Sequence, residues 1–476
     1  MLMSRFPVLA IAALLSACAT VPKLGDAPVL RTPESLASSQ SLAGNAANWP
    51  ADKWWTAYGD PVLNVLIDEA LAGSPDVALA AARVRAAEAL AQQAGAALLP
   101  SAGFEASAAG NQQSQNLGVP PQFVPDGIQD TGRLAATASF NLDLWGKNRA
   151  ALAAATSEAE AARVDAAQSR LMLTTGVAAA YADLAQYYRT RDVLLDALKV
   201  RETTATLTAQ RMAAGVDTRG SLRQAEARVP SARGDILAID ESIAVTRNRL
   251  AALLGDGPDR GLTIARPTLN NVETAVPANA GIDLIGRRPD IVAARLRAEA
   301  AAKRIKVARA DFYPNINLTA LVGLQSLGLG NLFNSGSTIV NGGAALSLPI
   351  FDGGKLAGKY RGARADYDAS VARYDSTLVT ALREVADTLA SRKATDARLA
   401  EGYRGLKAAD EASDIAILRY KGGLSNQLQV LLTADALLAG RRTVAELEAR
   451  RRALDITLIR ALGGGYRTQT NLAGTP

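Results

Sequence analysis

Histidine is absent from this 476-residue chain, and cysteine occurs once, as Cys18. Those two gaps remove His-based acid/base catalysis, Ser-His-Asp triads, disulfides and Cys/His zinc sites from a single chain. No nucleophile–base pair or metal-ligand spacing replaces them, so we expect no enzymatic activity, no metal and no cofactor beyond a covalent lipid. Proline is missing from residues 126–229 and again from 350–475, which frees two long stretches of the residue that most often ends a helix. Basic blocks with interleaved aromatics are also lacking. The charge of +6, from 52 Lys and Arg against 46 Asp and Glu, is therefore read as solvated helix faces and not as nucleic-acid binding.

The first proline-free stretch organises the chain. Residues 147–214 are rich in Ala, Leu, Glu, Gln and Arg with few β-branched side chains, and one unbroken helix there would be roughly 100 Å long. Apolar or small residues recur in steps of four and three at Leu173, Val177, Ala180, Leu184 and Tyr187, then at Leu194 and Leu198, the seam spacing of a coiled coil. The same spacing returns at Tyr367, Val371, Tyr374, Leu378, Ala381 and Val385, so the chain contains an internal duplication. "RMAAGVDTRGSL" answers "RYKGGLSNQLQVL", and the offset is 208 residues from Gly215 to Gly423 and from Gly255 to Gly463. Gly215 and Gly423 suit left-handed turns at the far ends of the long helices, after which helical pattern resumes in "SLRQAEAR" and "QLQVLLTADALLAGRR". Pro230 lies inside the first returning helix and predicts a kink there.

The remaining segments follow in order. Residues 1–17 have Arg5, an apolar run over 8–15 and a small-residue end, the form of a secretory signal too short to span a membrane. Leu15-Ser16-Ala17-Cys18 resembles a bacterial lipobox, which implies cleavage before Cys18 and lipidation of its thiol; an incidental cysteine after a plain signal is the alternative. Ala19 in place of aspartate favours the outer membrane by the enteric rule. Residues 18–57 then read as an extended spacer strap. The first repeat covers 58–255, with Asp60-Pro61 as a helix start, a β-hairpin at about 101–144 and its turn near 215. A connector, 256–280, is expected to wrap the outside. The second repeat covers 281–465, with a hairpin at about 313–350 and its turn near 423, followed by the tail 466–476.

Each hairpin rests on period-two alternation. Phe104, Ala106 and Ala108 lead to a polar loop over 110–130, and Leu134, Ala136, Ala138, Phe140, Leu142 and Leu144 follow. In the second half, Ile316, Leu318, Ala320, Val322 and Leu324 precede Ala344, Leu346, Leu348 and Ile350, joined by a loop over 329–342. Strands of about ten residues alternating in this way fit a membrane β-barrel, and equally a soluble hairpin packed on a helix. Four strands cannot close a membrane barrel, because the smallest have about eight, so a membrane reading requires several chains to pool their strands.

"DPVLNVLIDEAL" from Asp60, "LDLWGK" from Leu142, "RRPDIVAAR" from Arg287, "FYPNINL" from Phe312, "LPIFDGGK" from Leu348 and "RYKGGLSNQLQVLL" from Arg419 together resemble the outer-membrane efflux proteins. These are the TolC-like channels, here specifically the lipoprotein branch that includes NodT and OprM. The resemblance implies a mainly α fold with a small membrane β part: four strands per chain and long coiled-coil helices in two pseudo-repeats. It implies a homotrimer whose outer-membrane β-barrel continues into a periplasmic α-barrel. The partners it implies are a periplasmic membrane-fusion adaptor, an inner-membrane transporter of the resistance-nodulation-division type, and outer-membrane lipid, in a Gram-negative cell. The function it implies is passive conduction of drugs or other small molecules out of a tripartite pump.

Under that resemblance, the turns at Gly215 and Gly423 form the periplasmic tip where the duct shuts. Other members place acidic residues just beyond the second turn; this chain has Gln429 and Leu432 there, with Asp435 one helical turn later. Leu428, Leu431 and Leu432 form an expected apolar constriction, or else ordinary coiled-coil seam residues. Arg419 and Tyr420 are expected to link neighbouring helices by ion pairs or hydrogen bonds. The rival functions are a lipid-anchored coiled-coil scaffold or adhesin without a pore, and a duct for type I secretion or metal export.

Overall fold

The computed structural model describes residues 21–38, 40–42, 48–114, 116, 120–272, 275–277 and 280–468. Cys18, the signal segment before it and the end of the tail lie outside the described residues. In chain order the elements are α1 (Pro61–Gly73), α2 (Pro75–Ala96), β1 (Ser101–Asn111), β2 (Gln129–Leu142), α3 (Lys147–Ala213), α4 (Arg219–Leu254), α5 (Pro258–Leu262), α6 (Ala280–Arg287), α7 (Pro289–Ala310), β3 (Asn315–Leu327), β4 (Thr338–Ser347), α8 (Lys355–Lys421) and α9 (Gln427–Ala461). The duplication is visible in the lengths: α2 and α7 each have 22 residues, α3 and α8 each have 67, and α4 and α9 have 36 and 35. Among the described residues no helix is long and apolar enough to cross a membrane.

The chain divides into two compact units. One comprises Val84–Ala162, Ala294–Tyr374 and the described residues up to Leu30; the other comprises Arg31–Arg83, Arg163–Ala293 and the chain from Asp375 onward. The first unit holds a single antiparallel sheet in the order β1-β2-β3-β4, so the two hairpins join through β2 and β3. Register decides what each face carries, since directly paired residues share a face. Phe104, Ala136, Val322 and Val340 form one row, and Leu142, Ile316 and Leu346 another. Rows of the opposite face read Ser101, Ser139, Thr319 and Gly343, or Ser107, Arg133 and Gln325. Phe104, Val322, Val340 and Leu346 are 72%, 55%, 77% and 68% exposed, so these apolar positions have no cover among the described residues.

The bounds of β2 and β4 differ from the expected ones. β2 starts at Gln129, inside the expected loop, because the ladder needs only backbone groups and Asn111 pairs with Gln129 without any apolar alternation. β4 likewise begins at Thr338, opposite Leu324, and ends before Pro349, which has no N–H to give.

Where each strand pair meets a long helix, the two copies use one device. Asp143 accepts hydrogen bonds from the Asn148 and Arg149 amides at 2.9 Å each, and Asp352 accepts from the Gly354 and Leu356 amides at 3.0 and 2.6 Å. Each carboxylate thereby satisfies amide donors that would otherwise be orphaned at the first turn of α3 or α8. Trp145 stacks on Tyr313 at 4.8 Å and donates to the Pro314 carbonyl at 2.8 Å. Asp311 receives both Lys147 and Lys359. The strap also departs from a free spacer: Val21 and Leu24 pack against Ala308, Phe312 and Tyr360, and Tyr367 donates to the Pro28 carbonyl at 3.0 Å.

The second unit is built around α1 and the surrounding long helices. Leu63, Leu66, Ile67 and Ala70 bury one face of α1 among Val177, Tyr181 and Leu184 of α3, Leu250 and Leu254 of α4, and Ile456 and Ile459 of α9. Asp60, 2% exposed, caps α1 by accepting from the Val62 amide at 2.9 Å, and also accepts from the Tyr181 hydroxyl at 2.9 Å and from the Thr268 amide at 2.8 Å. Thr268 belongs to the connector, which therefore does not simply wrap the outside. Its Ile264 and Leu269 are 2% and 8% exposed, and its Asn270 amide donates to the Tyr58 carbonyl at 3.0 Å. The "RRPD" motif is structural as well: Arg288, 7% exposed, pairs with Asp290 and Glu384 and donates to the Ala461 carbonyl. Pro230 sits inside a continuous α4.

Burial opposes ionisation of Asp60, but the donors from Thr268, Tyr181 and Val62 outweigh it and hold the carboxyl below its ordinary value of 3.8. A depressed folded pKa gives stability that is present above the unfolded pKa and lost as the pH falls through the folded one. Asp60→Ala is expected to cost about 3 kcal/mol at pH 7, because it orphans several buried donors. The deficit should shrink below about pH 4, where the wild-type carboxyl also protonates. Denaturant midpoints of the solubilised protein at pH 7 and pH 3 measure both.

Candidate functional site

The residues singled out in the sequence gather where each long helix turns back, in the second unit. Both turns are built alike. Gly215 and Gly423 have φ of +74° and +73°, a conformation that costs glycine little. The Val216 amide reaches the Arg211 carbonyl at 2.9 Å and the Leu424 amide the Arg419 carbonyl at 2.8 Å, which is the wide hydrogen bond of a Schellman ending. Thr218 then caps α4 by accepting from the Ser221 amide at 3.1 Å, and Asn426 caps α9 by accepting from the Gln429 amide at 3.2 Å. The turns leave Val216 and Leu424 61% and 74% exposed.

A polar cluster ties one turn to the other. Tyr420, 1% exposed, donates its hydroxyl to Asp217 at 2.9 Å. Arg211 pairs with the same carboxylate at 2.8 Å, lies 4.4 Å over the Tyr420 ring and donates to the Tyr420 carbonyl at 3.3 Å. Burial, together with the adjacent Asp217 carboxylate, holds the Tyr420 hydroxyl above its ordinary pKa of 10.0, so it remains a donor across the physiological range. Two turns along α9, Asp435 receives Arg228 from α4 and stands 3.7 Å from Arg201 of α3. Arg442 pairs with Asp235 at 3.1 Å and Glu448 with Arg189 at 3.0 Å, which continues the row of links from α9 to the first helix pair.

The structure separates the three expected leucines. Leu428 and Leu432 are 49% and 53% exposed on one face of α9, whereas Leu431 is 4% exposed and belongs to the packed seam. Leu431 is thus corrected from constriction to core: one residue from Leu432 it lies about 100° round the helix, on the side turned to the packed helices. Arg419 stands apart from the cluster. It is exposed, with no side-chain hydrogen bond or ion pair among the described residues, beside a groove lined by Ala412, Ile415, Ala416 and Gln429. Its counterpart at the 208-residue offset, Arg211, makes the link instead. Sequence reasoning missed Arg211 and Asp217, although the duplication places Arg211 opposite Arg419. Arg201 and Arg228 carried no such signal, because Ala409 and Ala436 occupy the matching positions.

The family model of the outer membrane efflux protein matches residues 66–256 and 283–464. The fusaric acid resistance protein FusA of Burkholderia cepacia is 33% identical over 482 residues, covering 98% of this chain and 89% of that protein. The multidrug resistance outer membrane protein MdtP of Escherichia coli (strain K12) is 31% identical over 467 residues, with 95% and 94% covered. Among solved structures, the outer membrane protein VceC from Vibrio cholerae is similar with a TM-score of 0.84 and 42% identity, over 88% of this chain and 100% of that one. The outer-membrane channel OprN gives 0.84 and 27% identity over 92% and 99%.

The Tyr420–Asp217–Arg211 cluster makes a local stability prediction. Tyr420→Phe with Asp217→Ala removes a charge-assisted link of about 1.5 kcal/mol. Amide exchange over residues 205–225 and 415–430 should then quicken roughly tenfold while exchange in α1 stays unchanged.

Proposed function

The chain belongs to the outer membrane efflux protein family, and from that premise we propose that three copies assemble into the exit duct of a tripartite pump. Membership already makes it a non-enzymatic efflux channel of the Gram-negative outer membrane. The observation that carries the finer reading is the sheet: one face is apolar and largely exposed, and β1 and β4 are edges with no partner strand among the described residues. Unpaired backbone groups cannot face lipid, so the edges must pair with other copies. Three copies supply about twelve strands, above the minimum of about eight.

The same logic assigns directions. The rows through Phe104, Val322 and Val340 face lipid, and the rows through Ser139, Thr319 and Asn341 face the lumen. The turns of the helix hairpins lie in the periplasm, where a membrane-fusion adaptor and an inner-membrane transporter of the resistance-nodulation-division type meet the chain. Energy enters through the transporter, and passage through this chain is passive. Relatives named for multidrug and fusaric acid resistance support small drug-like cargo. Lipidation of Cys18 supplies a second hold on the membrane.

Closure is assigned to the turns. Leu428 and Leu432, exposed one helical turn apart on α9, converge around the axis and exclude water from the narrowed pore. The Tyr420–Asp217–Arg211 and Arg228–Asp435 links hold the helix pairs in that arrangement.

Purified protein in planar bilayers is expected to conduct weakly, and Leu428→Ser with Leu432→Ser should raise that closed-state conductance severalfold; an unchanged value rejects the constriction. Val322→Arg should abolish the heat-sensitive trimer band, because a charge on the lipid face costs about 2–4 kcal/mol per copy near mid-membrane. Thr319→Arg, on the other face, should leave the band in place.

A further inference from the structure

A cavity of about 190 Å³ opens beside the Asp435 link, walled by α3, α4, α8 and α9. That is larger than the roughly 150 Å³ apolar cavity able to take up a benzene ring. Val193, Val200, Ile417, Leu431, Leu437 and Leu438 supply its apolar lining. Its charges are unequal, with four carboxylates (Asp196, Asp410, Asp414 and Asp435) facing three guanidiniums (Arg201, Arg228 and Arg441). The guanidiniums are taken: Arg228 and Arg201 lie on Asp435, and Arg441 on Asp410. Asp196 and Asp414 are exposed and have no ion pair or side-chain hydrogen bond among the described residues. Ser413, 4% exposed, also lines the cavity.

We propose that this cavity is a binding site for a small hydrophobic organic cation. A ring-sized apolar body rests on the leucine lining, and its positive group sits between Asp196 and Asp414. An anion finds no free guanidinium, and a neutral hydrocarbon gains nothing from the two unpaired carboxylates. Because the walls come from both helix hairpins, an occupant resists their separation and favours the state in which Asp435 holds Arg228. That consequence rests on the gated duct proposed above; the binding itself does not.

Isothermal titration of the solubilised full-length protein with benzyltrimethylammonium, against its uncharged isostere neopentylbenzene, tests the site. The cation is expected to bind saturably, once per chain and more tightly than the isostere. Asp196→Asn with Asp414→Asn should weaken it roughly fivefold, as loss of two partly exposed ion pairs implies. Leu438→Trp, or Ala434→Leu where the first variant fails to assemble, should abolish binding by filling the space. No saturable binding, equal affinity for the isostere, or binding indifferent to a filled cavity overturns the proposal. Bilayer conductance is read separately, so a protein that conducts yet does not bind rejects the site and leaves the duct standing.

Discussion

A helix of 67 residues carries a narrow apolar stripe, rich in alanine, that can be buried only against other helices running alongside it. Everything else in the second unit answers that constraint. Each long helix must find lengthwise partners, and the nearest is the chain returning from its own turn. The Schellman endings at Gly215 and Gly423 and the caps at Thr218 and Asn426 set where the return begins. The seam residues then fall opposite one another, and the core is assembled from a few side chains of every helix that passes.

Small side chains in the seam bring helices close but contribute little burial each. Specific polar contacts accordingly set which helix lies beside which. Asp60 fixes the cap of α1, a hydroxyl of α3 and the connector on one buried carboxylate. Arg288 gathers Asp290, Glu384 and the end of α9 in the same way. Near the turns the contacts run from Arg211, Arg201 and Arg228 to Asp217 and Asp435. Breaking a buried charged contact leaves its partner uncompensated, so register is enforced more strongly than net stability alone requires.

Duplication explains the paired design and also its asymmetry. Asp143 and Asp352 cap the two long helices by one scheme. At the turns the copies have diverged: the first presents Arg211 and Asp217, while the second presents Tyr420 and an unengaged Arg419. One half donates the acidic acceptor and the other the buried hydroxyl, so the cluster exists only across the two copies. A side chain idle inside one chain remains available to an adjoining copy.

Local chemistry was legible from the residues themselves. Alternation by two placed the strands, the four-and-three spacing placed the long helices, glycine at a 208-residue offset placed both turns, and Asp60-Pro61 marked a helix start. Those signals work because they depend on backbone geometry and on contacts within a few residues. Only the folded chain decided that Leu431 belongs to the seam while Leu428 and Leu432 stay exposed, that Arg211 and not Arg419 holds Tyr420, and that the connector completes the buried carboxylate of Asp60. Partners some two hundred residues apart leave no periodic trace, because their meeting is set by how whole helices pack and not by spacing along the chain.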